Sequence, residues 1–180
     1  MPAVERRINK EAQVLIGLEP LSAVNVAEVS DFFRRQFNNP DEWCDLDELV
    51  SRLERKQEVV GMVDRVEEKV VGAVVAYRNP FSHDEWTVPI IAVQKAKPES
   101  NVSGFRGQGR GRALMEAVYG EIRTHGGKAV VADTNKLKER GGSKEFLEAC
   151  GFRLIGEIPG YFTGEVNETG LMFVYHLNKT

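Results

Sequence analysis

A chain of 180 residues with 42% hydrophobic and 28% charged side chains suits one domain able to bury about 70% of its unfolded surface. That balance excludes collagen-like, coiled-coil and wholly disordered chains. The longest apolar runs, Val70 to Ala76 and Val88 to Val93, fall far short of the roughly 20 residues a bilayer crossing needs.

A net charge of −3 gives no general reason to expect nucleic acid, whose phosphate backbone calls for a basic surface. The beginning, Met-Pro-Ala-Val-Glu-Arg-Arg, lacks an apolar leader, so a cytoplasmic protein is expected. Cys44 and Cys150 stand far apart with no metal-ligand spacing, so reduced structural thiols and no metal are expected. Residues 41–68 hold ten acids against four bases, whereas residues 94–112 hold five bases against Glu99 alone. Such a split suits a cationic substrate near one region and an anionic ligand near the other, or two solvated faces.

In chain order, Gln13 to Leu18 alternates weakly and predicts a first strand. Val24, Val26, Ala27, Val29, Phe32, Phe33 and Phe37 recur at helical spacing through Arg35, and Asn38-Asn39-Pro40 ends that helix. A second helix is predicted over Asp45 to Arg55, with Leu46, Leu49, Val50 and Leu53 on one face. Glu58 to Val66 and Lys69 to Tyr77 read as a hairpin turning at Glu67-Glu68. Thr87 to Val93 is a strand whose Pro89 suggests an edge or a bulge. Gly109 to Arg123 is an amphipathic helix closed by Gly126-Gly127. Lys128 to Ala132 reads as a buried parallel strand. A helix from Ser143, its expected N-cap, to Cys150 follows. Phe152 to Ile158 and Leu171 to Leu177 complete the strands, with a turn at Pro159-Gly160. Trp43, Trp86 and the Phe32, Phe33 and Phe37 group read as packing.

The stretch Phe105-Arg106-Gly107-Gln108-Gly109-Arg110-Gly111-Arg112 carries the most chemistry. Glycines allow tight turns and close ligand approach, and the first helical amides point outward unsatisfied. Together they make an anion site suited to phosphates, with Arg106, Arg110 and Arg112 able to add charge. A P-loop would need a lysine followed by Ser or Thr, and a dinucleotide fingerprint would read GxGxxG in a first βα turn. The spacing Arg-x-x-Gly-x-Gly fits neither.

With Phe146-Leu-Glu-Ala-Cys-Gly-Phe152 in place downstream, the chain resembles the GNAT superfamily of N-acetyltransferases over residues 14–178. The resemblance implies one α/β domain over residues 1–180: a mostly antiparallel mixed sheet with a splayed parallel pair, flanked by helices. It implies acetyl-coenzyme A as cosubstrate, its pantetheine arm along Ile91, Ala92 and Val93. Its pyrophosphate would lie on the amides of Gly107, Gln108, Gly109, Arg110, Gly111 and Arg112, with Asn135 contacting the cofactor. The activity implied is acetyl transfer to a primary amine of a small molecule or peptide, with neither nucleic acid nor membrane as partner. Relatives often dimerise through the last strands, which leaves a homodimer open.

Two departures stand out. Twelve residues, Gln94 to Phe105, separate strand from loop where relatives have a few. Leu147 occupies the position where many relatives carry a tyrosine that protonates the leaving thiolate. Tyr161 is the substitute candidate, as acid or as pocket wall. Acyl transfer needs a neutral amine, whose reference pKa is about 10.4, so a proton acceptor is required. Counting in twos back from Val93 selects Glu85, acting through water; some relatives carry a glutamate where Thr87 stands, and His83 is a weaker alternative. A backbone amide near Val93 would polarise the carbonyl. The alternative reading is a non-catalytic acyl-CoA sensor of the same fold.

Overall fold

The computed structural model describes residues 17–37, 45–54, 59–96, 104–136, 142–162 and 168–177. Among them the elements run β1 (Leu18–Pro20), α1 (Val26–Gln36), α2 (Leu46–Glu54), β2 (Val59–Val66), β3 (Lys69–Arg78), β4 (Glu85–Val93), α3 (Arg110–Thr124), β5 (Ala129–Asn135), α4 (Ser143–Ala149), β6 (Arg153–Phe162) and β7 (Glu168–His176). The seven strands form one sheet in the order β1-β2-β3-β4-β5-β7-β6. It is mostly antiparallel, with β4 and β5 the parallel pair, as expected. The chain divides into two compact units, Met1–Val75 with Ile90–Val118, and Ala76–Pro89 with Tyr119–Thr180.

In the first unit, α1 and α2 turn Val26, Val29, Phe32, Phe33, Leu46 and Leu49 onto Val63, Ala73, Val75, Ile90 and Ala92 of the strands. The helical period of the aromatic residues selects that buried face. The hairpin turn adopts positive φ at both central residues, 48° at Glu67 and 65° at Glu68, as a two-residue turn matching strand twist requires.

In the second unit the core is aromatic. Tyr119 of α3 stacks on Tyr175 of β7 with ring centres 4.3 Å apart, and Phe152 tilts against both. Trp86 is fully buried, with the His125 ring at its edge and the Arg78 guanidinium 5.4 Å from its centre. Gly127 closes α3 against it: an added Cβ would lie 2.7 Å from the Trp86 ring.

The structure corrects several local expectations. Pro89 marks no edge, because β4 is central; the β4–β5 ladder instead runs only from Glu85↔Ala129 to Thr87↔Val131 although both strands continue. Proline has no N–H for such a ladder. Ser143 is the first helical residue rather than the cap, a place taken by Gly142 at φ 88°. Pro159 and Gly160 lie inside β6 rather than in a turn, where a register shift between Ile158 and Phe162 absorbs them. The first strand begins at Leu18, after a turn at Gly17; residues 13–16, Cys44 and Trp43 lie outside the described residues.

Candidate functional site

The anion-binding element belongs to the first unit. Its strand is the end of β4 from Ile90 on; along β4 burial alternates residue by residue, so that Glu85, Thr87, Pro89, Ile91 and Val93 are each half-buried and Trp86, Val88, Ile90 and Ala92 buried. Past Val93 the backbone is held on both sides, Gln94 N–H donating to Val71 O at 2.8 Å and Phe105 N–H to Gln94 O at 2.9 Å. These bonds close the stem of the long segment that precedes the glycines; residues 97–103 lie outside the described residues.

Gly107 and Gly109 have φ of 77° and 79°, and nothing stands within 4 Å of where a Cβ would project at either. Left-handed backbone with open space beside it is what a ligand-facing turn needs. The first helical bond of α3 runs from Ala113 N–H to Gly109 O at 3.0 Å. The amides of Arg110, Gly111 and Arg112 therefore lie in the turn that a helix leaves without internal acceptors, at the positive end of a 15-residue helix. Those groups suit a diphosphate.

Each of the three arginines has a partner within the chain. Arg110 turns inward, and its Nη1 donates to both carboxylate oxygens of Asp64, at 2.8 and 2.7 Å. Asp64 is fully buried, and the Arg110 guanidinium lies 5.2 Å from the centre of the Phe105 ring. Arg106 Nε donates to Val93 O at 3.0 Å, and Arg112 pairs with Glu116 one turn along at 2.9 Å. Arg110 thus serves the loop through its backbone, its charge already matched by Asp64. Sequence reasoning missed Asp64 because its partner is 46 residues away; a lone acid within the apolar run Val59–Val66 was its one signal.

The polar groups of the second unit gather on β5 and β6. Asn135, expected just past its strand, is the buried last residue of β5. Leu147 is buried on α4, so its side chain is packing. Tyr161 lies within β6 rather than in a turn, with its ring across Gly170 at 2.6–2.8 Å from where a Cβ would be. Gly170 is in turn the register partner of Asn135. Burial and the charge of Asp133 push the Tyr161 phenol up from its ordinary value. Glu85 opens β4, and its Oε1 accepts a hydrogen bond from Asn79 Nδ2 at 2.6 Å. His83 is exposed in the preceding loop. Among the described residues no group of His, Cys, Asp and Glu is arranged to hold a metal ion, and no helix is long and apolar enough to cross a membrane.

The sequence model of the acetyltransferase (GNAT) family matches residues 26–152, which include both glycine loop and the Phe146–Phe152 segment. The chain belongs to the GNAT acetyltransferase family. Among solved structures, an aminoglycoside 6′-N-acetyltransferase from Enterococcus faecium superposes with a TM-score of 0.68 at 14% identity, covering 91% of this chain and 98% of that one. The ribosomal-protein-S18-alanine N-acetyltransferase from Escherichia coli gives 0.67 at 17% identity, covering 91% and 94%. An aminoglycoside 6′-N-acetyltransferase complexed with coenzyme A gives 0.65 at 14% identity, covering 91% and 98%. At such identities the GNAT fold is what these structures share with the chain. No curated protein sequence matches it.

Proposed function

We propose that this GNAT protein transfers the acetyl group of acetyl-coenzyme A to a primary amine of a small molecule or peptide, by direct attack within a ternary complex. The observation that carries the reading is the start of α3, where two left-handed glycines and the first-turn amides make a diphosphate cradle next in sequence to a held strand end. Ile91, Ala92 and Val93 would carry the pantetheine arm, and the amides of Gly107 to Arg112 the pyrophosphate. Asn135 would contact the cofactor from β5. One domain carries the activity in this reading, and a cytoplasmic location accords with it.

Attack requires the amine nitrogen to lose a proton; Glu85, which opens β4 eight residues before Val93, would take it along a chain of waters. The nitrogen lone pair adds to the thioester carbonyl, polarised by an amide near Val93. As the C–S bond breaks, the thiolate takes a proton, and Tyr161 is the donor in this reading, its phenol carrying a proton at neutral pH as an ordinary tyrosine does. Purified protein should release coenzyme A thiol from acetyl-coenzyme A only when an amine is supplied. Glu85→Gln and Tyr161→Phe should each lower kcat about 10²-fold, the lower end for a lost proton-transfer group.

Buried Leu147, where a tyrosine is usual, favours a second reading, a sensor that binds acyl-CoA without turning it over. Binding of coenzyme A with no thiol release for any amine would support it. A homodimer through the last strands also belongs to the proposal: β6 ends the sheet and exposes Ile155 and Ile158.

A further inference from the structure

We propose that Asp133 and Tyr161 form the subsite that holds the positive charge of the acceptor, which makes the acceptor class a cationic primary amine. This inference rests on the acetyl-transfer reading and assigns the second substrate of the same reaction.

Asp133 sits on β5 two residues beyond Val131, the last residue paired with β4. Its register partner on the other side is Met172 of β7. At this point β7 pairs with one edge of β5 and no residue of β4 pairs with the other. Strand periodicity puts Val131, Asp133 and Asn135 on one face, together with their partners Val174, Met172 and Gly170. Tyr161 of β6 lies across Gly170 of β7, the register partner of Asn135, and the Asp133 charge acts on its phenol.

The Asp133 carboxylate is half-buried, and among the described residues no Lys, Arg or His acts on its charge. Burial pushes its pKa up, because a carboxylate removed from water without a counterion is costly in its charged form. An arriving ammonium supplies that counterion. Tyr161, on the strand paired with β7, adds an aromatic ring, a group that attracts cations. The neighbours Met172 and Gly170 are apolar and small, leaving Asp133 as the group on this face of β5 that distinguishes a cation from a neutral molecule. A carboxamide at that position would keep the shape and lose the distinction.

Thermal unfolding tests the subsite without turnover. Butylamine, 1,4-diaminobutane and spermidine, with butanol as the neutral control, would be added to the wild-type chain and to Asp133→Asn. At least one amine should raise the wild-type Tm in a saturable way, with an apparent Kd at least tenfold weaker in Asp133→Asn; butanol should act on neither. Equal shifts in the two proteins, or no shift of the wild type with any of the three amines, would overturn the subsite. In thiol-release assays Asp133→Asn should raise KM for the amine at least tenfold while KM for acetyl-coenzyme A stays within about twofold. Amine binding at Asp133 with no thiol release would sink the acetyl-transfer reading and leave the subsite standing. Thiol release with an unchanged amine KM in Asp133→Asn would do the reverse.

Discussion

Asp64 and Arg110 illustrate how much can depend on one contact. A buried ion pair contributes little net stability against an apolar pair of the same volume, but removing one partner strands the other charge. Asp64→Ala should therefore cost about 3–5 kcal/mol, measured by urea unfolding, and should raise KM for acetyl-coenzyme A because the first residue of α3 loses its anchor. Replacing Asp64 and Arg110 together by Leu and Met should recover most of the stability. A double variant as unstable as Asp64→Ala would show that the pair does more than neutralise itself. Asp133 behaves in the opposite sense. Its folded pKa is raised, so between the ordinary carboxylate value and the folded one the native state holds the extra proton, and stability falls as pH rises through that window. Asp133→Asn should be the more stable protein at neutral pH, with the difference closing as pH drops below the carboxylate range. A variant less stable than wild type at pH 7 would mean that the carboxylate has an unseen partner.

Among the elements, the β2–β3 hairpin places two glutamates in backbone that glycine and asparagine adopt more readily. The left-handed region costs an ordinary residue roughly 1–2 kcal/mol, so Glu67→Asn with Glu68→Gly should raise stability by about 1 kcal/mol in a denaturant titration. Arg65 Nη1 bonds to the Glu68 backbone oxygen at 2.8 Å, an acceptor the substitution keeps. Arg65 also binds Glu28 and Glu19 at 2.7 and 2.8 Å, and it holds Glu28 below the usual carboxylate range. The contribution of Glu28 is present above its unfolded pKa and lost as pH falls through the folded value; solvent exposure keeps it small. Elements were also where sequence reading was most secure. The period of Phe32, Phe33 and Leu49 identified α1 and α2, because both must bury one face. Pro159-Gly160 misled because a bulge lets an edge strand absorb residues that usually break one.

Across the whole molecule, the order of strands and helices was legible because each period switch, from alternation in β4 to the helical spacing of α3, is written locally. The glycine loop was legible for the same reason. The inward turn of Arg110 was not, since it depends on Asp64 in a strand three elements earlier, nor was Asp133, whose meaning comes from where the β4–β5 ladder stops and from Tyr161 arriving on β6. At this scale the exposed end of the sheet also makes a prediction. If a second copy covers β6, light scattering should give about twice the chain mass, and Ile155→Glu should return the protein to a monomer. A monomeric wild type would remove the homodimer from the proposal.

The Asp64–Arg110 contact has a consequence for descent. A buried carboxylate cannot tolerate the loss of its guanidinium, and the guanidinium cannot tolerate the loss of its carboxylate, so neither position is free to drift alone. Among natural relatives the two should covary: chains with an apolar residue where Arg110 stands should lack the acid at the position of Asp64. Lineages should pass between the two states through intermediates, such as Asn at one position, that leave no full charge stranded.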